Sequence, residues 1–284
     1  MNSSTKLILQ GPGADRDTVK RIAAIVNAQK ITPIAAQAFR CDGIDSSNAL
    51  RSDVSAACHP ARMDGTFMDA SRQLSDFRVL VMDMDSTLIT IECIDEIADM
   101  QGLKTEVATI TEAAMRGELD FQASLLRRVA LLKGLDAFAL HQVFEERLRL
   151  SPGAHALLEG VKAAGLRSVL VSGGFTYFTD RLKAMLALDT TRANLLEVVE
   201  GKLTGHVIGH IIDAEAKRQS VIDECAALGV SPKTAIVIGD GANDLAMMSV
   251  AGLSVAFRAK PVVQAKAHVT LNYAGLDGVL NLFR

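Results

Sequence analysis

Four carboxylates, one lysine and two glycine-rich segments hold the chemistry this sequence could do. Asp83 and Asp85 follow directly on a short apolar run, Val79–Met82. In an extended segment, residues two apart point to the same side, so both carboxylates would enter one pocket. Like charges that close resist joint ionisation, so one pKa rises while the other stays low. That division gives one site both a nucleophilic carboxylate and a proton donor. A second apolar run closes on Ser172-Gly173-Gly174, which offers an anion a hydroxyl and accessible backbone N–H groups. A third run, Ala235–Ile238, passes into Gly239-Asp240-Gly241-Ala242-Asn243-Asp244. There Asp240 and Asp244 add hard oxygen donors of the kind that hold Mg2+. Taken singly, each segment also reads as a solvated turn or a helix N-cap, and Lys217 as a surface lysine. Their weight comes from coincidence: the acidic pairs and the glycine loops all fall at carboxyl ends of expected strands in one sheet.

The elements that must position them follow from periodicity. Apolar, β-branched runs predict strands at 79–82, 168–171, 235–238, 253–257 and 267–271. Helical spacing between them (Leu157, Leu158, Val161; Val221, Cys225, Leu228; Leu245, Met248) predicts a parallel sheet covered on both faces. In such sheets ligands bind beyond the carboxyl ends of the strands. One stretch breaks the alternation. Between the first two strands, Ile94, Ile97 and Ala98, then Val107 and Ile110, then Leu125, Leu126 and Val129, keep helical spacing. A helical insertion at that edge would cover the site as a cap. Residues 194–212 alternate around Glu200-Gly201 and predict a strand plus hairpin. Toward the N-terminus, Lys6–Gln10 and Ile31–Phe39 read as strands flanking a helix over Asp17–Asn27. Residues 41–76 read as loop, linker or short irregular helix. The expected division is an N-terminal α+β segment with its linker (1–75), a doubly wound α/β core (76–91 and 151–284), and a helical cap (92–150).

Composition excludes several functions. The chain has 284 residues, 49% hydrophobic and 22% charged, enough for about two domains and a sizeable core. A net charge of −3 argues against a polyanion-binding role, and so against nucleic acid. No apolar run approaches the ~20 residues of a membrane helix, and the first residues lack the form of a secretory signal. The cysteines at 41, 58, 93 and 225 form no CxxC pair, so they read as reduced thiols in a cytoplasmic protein. Phosphate loops of the GxxxxGK[ST] type, GxSxG elbows and HExxH helices are absent. The partner is therefore expected to be a small molecule. The oligomeric state stays open, a homodimer included.

Asp83-Met84-Asp85-Ser86-Thr87-Leu88 resembles the DxDxT signature of the haloacid dehalogenase superfamily. Ser172, Lys217 and Gly239–Asp244 are similar to its other three motifs, in order. Glu92–Ala98, Arg127–Lys133 and Val171–Phe175 further resemble the phosphoserine phosphatases within that superfamily. The similarity spans about Phe77 to Arg284. Some longer bacterial members carry an ACT-like extension, and the N-terminal segment is compared with that. The resemblance implies a Rossmann-like core and Mg2+-dependent hydrolysis of O-phospho-L-serine to L-serine and phosphate, the last step of serine biosynthesis. It implies Asp83 as the nucleophile that becomes an aspartyl phosphate and as a metal ligand. It implies Asp85 as general acid and base, with its backbone carbonyl on the metal. Asp240 is implied as a direct metal ligand and Asp244 as a supporting carboxylate. Ser172, Gly173, Lys217 and Asn243 are implied to bind phosphate. In the cap, Glu92 and Arg128 are implied to hold the amino and carboxylate groups of the substrate, and Met115 and Phe121 to shield it. Two other readings stay open at this point. One is a phosphatase or phosphotransferase of the same superfamily acting on another small ester, such as phosphohomoserine. The other is a receiver-type module that keeps phospho-Asp as its output.

Overall fold

The computed structural model describes residues 5–115 and 118–284, the Met115 side chain excepted. The N-terminal part runs β1 (Thr5–Gln10), α1 (Arg16–Ile25), β2 (Lys30–Ala35), β3 (Ala38–Asp42), α2 (Asn48–Cys58) and β4 (Asp64–Asp69). Its four strands are antiparallel in the order β2-β3-β1-β4. One face is packed on the helices through Leu7, Leu9, Val19, Ile22, Val54 and Cys58. Asp15 caps α1 by accepting from the Asp17 and Thr18 N–H groups, both at 2.9 Å.

Two expectations fail here. The single strand expected over Ile31–Phe39 is a hairpin that reverses between Ala35 and Ala38. The loop expected over 41–76 contains α2 and β4. In α2, Leu50, Val54 and Cys58 keep an i, i+4, i+8 row, but Ser and Ala fill the spaces between them and thin the apolar signal. In β4 the inward face is Asp64, Thr66 and Met68, all buried. Polar groups on the buried face hide the alternation that marks a strand. Their reason is tertiary. Asp64 accepts backbone N–H groups from Asn272 (2.8 Å), Tyr273 (3.0 Å) and Ala274 (2.8 Å) in the C-terminal part of the chain. Gln10 and Asn281 continue that buried polar seam at 2.9 Å.

The second sheet is the α/β core. It comprises β5 (Val79–Met82), β6 (Arg167–Phe175), β7 (Thr190–Val199), β8 (Lys202–Ile208), β9 (Ala235–Gly239), β10 (Leu253–Phe257) and β11 (Val269–Leu271), ordered β11-β10-β9-β5-β6-β7-β8. All neighbours are parallel except β7 and β8. Every residue of β5 is buried, as a strand covered on both faces requires. Leu80 and Met82 pack toward Leu157 and Phe178. Val79 and Val81 pack toward Val221, Cys225 and Met247. The helices doing the covering are α7 (Ala154–Ala163), α8 (Thr176–Leu186), α9 (Ala214–Ala227) and α10 (Leu245–Val250). The β7–β8 hairpin turns at Glu200 (φ 51°) and Gly201 (φ 77°), the paired positive φ values of a two-residue turn that keeps the strand twist.

Between β5 and β6 the chain builds α3 (Cys93–Met100), α4 (Lys104–Met115), α5 (Phe121–Leu131) and α6 (Phe138–Gln142) and, among the described residues, no strand of the sheet. The two crossings into and out of this insertion lie side by side: Ile89 bridges Leu150, and the Ser151 N–H donates to the Leu88 carbonyl at 2.9 Å. Where β8 meets the end of α5, Gly205 takes φ 84°, and a Cβ there would stand 3.0 Å from Lys133 Cβ and 3.2 Å from the Ala130 carbonyl oxygen. Among the described residues no helix is long and apolar enough to cross a membrane.

Candidate active site

Strand order places the site. β5 lies between β9 and β6, where the sheet's winding reverses, and a crevice opens there beyond the strand ends. Met82 is in register with both Ile238 and Leu170. Asp83 therefore stands level with Gly239 and Val171, and Asp240 and Ser172 follow one residue further along the two flanking strands. The Asp83 N–H still donates to the Ile238 carbonyl at 3.0 Å, so the sheet holds the backbone of Asp83.

After Asp83 the backbone reverses over Met84–Leu88. Asp85 stays extended, and Ser86 takes φ 56°, ψ 0°, a left-handed conformation unusual for serine. The turn returns Asp85 toward the same crevice. Its carboxylate accepts the Cys93 N–H at 2.9 Å and meets the Ser172 hydroxyl at 3.4 Å. Ser172 Oγ in turn accepts the Gly174 N–H at 2.8 Å. A Cβ on Gly174 would stand 2.6 Å from Asp85 Oδ2, so only glycine lets this loop approach the acid.

Lys217, fully buried one turn into α9, ties the carboxylates together. Its Nζ lies 2.7 Å from Asp83 Oδ2 and 2.7 Å from Asp244 Oδ1. Asp244 Oδ2 accepts the Asp240 and Gly241 N–H groups at 3.1 and 3.0 Å. Asp240 Oδ1 accepts the Thr87 hydroxyl at 2.9 Å. Carboxylate oxygens of Asp83, Asp240 and Asp244 all lie within 4.8 Å of one another.

The electrostatics of the cluster are unbalanced. Burial, then the Asp244 charge, push Asp83 well above the ordinary carboxylate range, against the pull of Lys217. Burial and the neighbouring Glu92 push Asp85 up to about 7. Burial and Asp244 push Asp240 up to about 7. Burial alone would lower the Lys217 ammonium, but Asp244 and Asp83 outweigh it and raise it. One ammonium faces three carboxylates, and a small divalent cation among hard oxygen donors is what such a set fits.

The family model described as haloacid dehalogenase-like hydrolase matches residues 77–252. The chain belongs to the haloacid dehalogenase-like hydrolases. Among relatives of this hydrolase, a phosphoserine phosphatase of Polaromonas sp. is 54% identical over 75% of this chain and 92% of its own length. A solved HAD-family hydrolase from Salmonella enterica serovar Typhi is 32% identical with a TM-score of 0.89, covering 99% of both chains. A solved probable phosphoserine phosphatase from Vibrio cholerae is 35% identical with a TM-score of 0.84, covering 99% of this chain and 86% of that one.

Phe121, Asn243 and Glu92 of this dehalogenase-like hydrolase lie beside the site through Gly173, Gly241 and Ser86. Phe121, the first residue of α5, stands over Gly173, where a Cβ would come 2.7 Å from the ring tip. Asn243 lies in the turn between Gly241 and Asp244, half-buried, beside Gly241. Glu92 accepts the Ser86 hydroxyl at 2.7 Å, and burial raises its pKa. Arg128 donates through Nε to the Ser124 carbonyl of its own helix at 3.4 Å, and its positive field reaches Glu92 and Asp95. Met115 ends α4, but its side chain lies outside the described residues.

The sequence reading gave no role to two residues that shape the site of this hydrolase. Thr87 sits inside the first motif and clamps Asp240, a pairing across 153 positions. Asn194 donates to the Gly173 carbonyl at 2.8 Å and accepts the Ile212 N–H at 2.8 Å, joining the Ser172–Gly174 loop to the approach to α9. Thr87 had a signal in its motif position. Asn194 had none, because it is one polar residue in an alternating strand.

Proposed function

We propose that this hydrolase is a metal-dependent phosphomonoesterase that converts O-phospho-L-serine to L-serine and phosphate through an aspartyl phosphate on Asp83. One arrangement carries the reading: Asp83 and Asp85 leave one strand into one crevice, with Lys217 bonded to Asp83 and to Asp244. The curated relative that shares 54% identity is named phosphoserine phosphatase.

The chain's own groups divide the work. Met84 N–H and Lys217 Nζ hold the two oxygens of Asp83, which fixes the attack angle on phosphorus. As the Asp83–phosphorus bond forms, the phosphorus–serine oxygen bond breaks, and Asp85 gives its proton to the departing oxygen. Water then attacks the same phosphorus, Asp85 takes back a proton, and Asp83 leaves as carboxylate. A pKa of about 7 suits a group that must give and then accept near neutrality. Ser172, the N–H groups of its glycine loop, Lys217 and Asn243 bind the phosphoryl oxygens. Asp83, Asp240 and the Asp85 carbonyl would hold Mg2+, which supplies charge to offset the repulsion between carboxylate and phosphate. Both oxygens of Asp244 are already engaged, which suits a supporting role. Glu92 and Arg128 carry opposite charges toward a zwitterionic amino acid, and Phe121 shields the phosphate loop from above.

For residues 1–75 we infer an ACT-like unit, supported by the β-α-β-β-α-β order and the β2-β3-β1-β4 sheet. The four free, buried cysteines suit a cytoplasmic location. The deciding experiment is steady-state phosphate release from phosphoserine, phosphohomoserine and sugar phosphates, with Mg2+ and with chelator. Catalytic, Mg2+-dependent turnover that favours phosphoserine is expected. Stoichiometric trapping of phosphate would favour a receiver-type module instead, and a preference for another ester would move the substrate.

A further inference from the structure

The residue after Phe121 makes a contact that none of the roles above uses. Gln122 Nε2 donates to Asp213 Oδ2 at 2.8 Å, from the first turn of α5 in the cap to the segment that precedes α9 in the core. Both partners are well placed for such a bond. Asp120 caps α5 by accepting the Ala123 N–H at 2.7 Å, which fixes where Gln122 leaves the helix. Asp213 is the N-cap of α9: its Oδ1 accepts the Ala216 N–H at 2.9 Å, and its carbonyl accepts the Lys217 N–H at 2.9 Å. These hydrogen bonds to Ala216 and Gln122 hold the Asp213 carboxyl below the usual carboxylate range, so it carries a negative charge at neutral pH.

The consequence is mechanical. Phe121 closes over Gly173 while its neighbour Gln122 grips the cap residue of the helix that carries Lys217. Any movement of α5 away from Gly173 would break this bond. We propose that Gln122 is a positioning residue, a latch that holds the cap closed over the phosphate loop by its hydrogen bond to Asp213. It sets the fraction of molecules with a closed site, and the apparent affinity for substrate scales with that fraction.

This inference rests on the proposed phosphoserine activity, so its test has a readout that needs no turnover. Three variants change only the group at position 122, which is exposed. Gln122→Ala removes the donor and is expected to raise KM for phosphoserine about two- to tenfold. Gln122→Glu places like charge against Asp213 and is expected to raise KM further. Gln122→Lys keeps a donor, now charged, and is expected to leave KM within about threefold of the parent. In all three kcat stays equal or rises, because the latch touches no reacting atom. Independently of substrate, amide hydrogen exchange over α5 is expected to speed up in the Ala and Glu variants and not in the Lys variant. Equal KM in all four proteins, a fall in kcat at constant KM, or unchanged exchange in the Ala and Glu variants would each overturn the latch. Absence of phosphoserine turnover in the parent chain would instead overturn the proposed substrate, and the exchange rates would still decide the latch.

Discussion

Asp64, at the junction between the N-terminal unit and the core, is a buried carboxylate, and Asp240, at the carboxyl edge of the core sheet, is a half-buried one. Burial raises the pKa of both. Asp64 meets three backbone N–H groups, from Asn272, Tyr273 and Ala274. Its lone pairs are spent on fixing one segment of chain to another. Asp240 meets one hydroxyl, from Thr87, and the negative field of Asp244. It has lone pairs to spare and too little positive charge around it. A carboxylate that serves the fold is surrounded by donors, whereas one that serves chemistry is left short, and a cation or a substrate completes it.

That contrast can be broken by experiment. The largest effect is expected at Asp83. Asp83→Asn removes the nucleophile with little change of shape, and kcat for phosphoserine should fall by at least about 10³-fold. A kcat near that of the parent chain, measured by phosphate release, would show that another group takes up the phosphoryl.

Asp64→Ala should do the opposite. Three backbone N–H groups lose their acceptor, which should cost about 3 kcal/mol of stability and lower Tm by about 5 °C. Activity per folded molecule should stay within about threefold, since no group in the crevice touches Asp64. A large loss of kcat at unchanged Tm would erase the distinction between the two carboxylates.

Arg128→Ala tests the roof of the crevice. KM for phosphoserine should rise about tenfold or more, the size of a lost charge-assisted contact to a carboxylate. A generic aryl phosphate, which lacks that carboxylate, should be hydrolysed almost as before. Parallel losses on both substrates would remove Arg128 from substrate recognition.

The smallest effect is a slope. Asp85 and Asp240, at about 7 in the metal-free fold, sit above the values near 4 that carboxylates have when unfolded. Between those limits the folded chain binds more protons than the unfolded one, so stability falls as pH rises. With chelator present, Tm should be lower at pH 8 than at pH 5.5 by about 5 °C. Asp15, Asp213 and Asp223, whose pKa values are lowered by their hydrogen bonds, oppose this only in more acid solution. Adding Mg2+ should flatten the slope. A flat Tm profile without metal would mean that the cluster is not short of positive charge.

What could be read from residues alone was local. Apolar runs mark β5, β9 and β10 to within a residue, because a strand covered on both faces needs nearly every position apolar. The acidic and glycine residues that follow those runs must then stand at the carboxyl edge, and the helical spacing of 94–129 puts the cap after β5. The hairpin at Glu200-Gly201 is legible for the same reason, since the turn's conformation is written in its two central residues. The folded chain decided whatever depends on residues far apart. Lys217 looks like any surface lysine until α9 buries it between Asp83 and Asp244. Asp64 conceals β4 because its partners lie some 200 positions away, across 208 in the case of Asn272. Asn194 and Gln122 gain meaning only from the loops that packing brings against them. Periodicity reports which face of a segment is buried; it carries no record of what that face will meet.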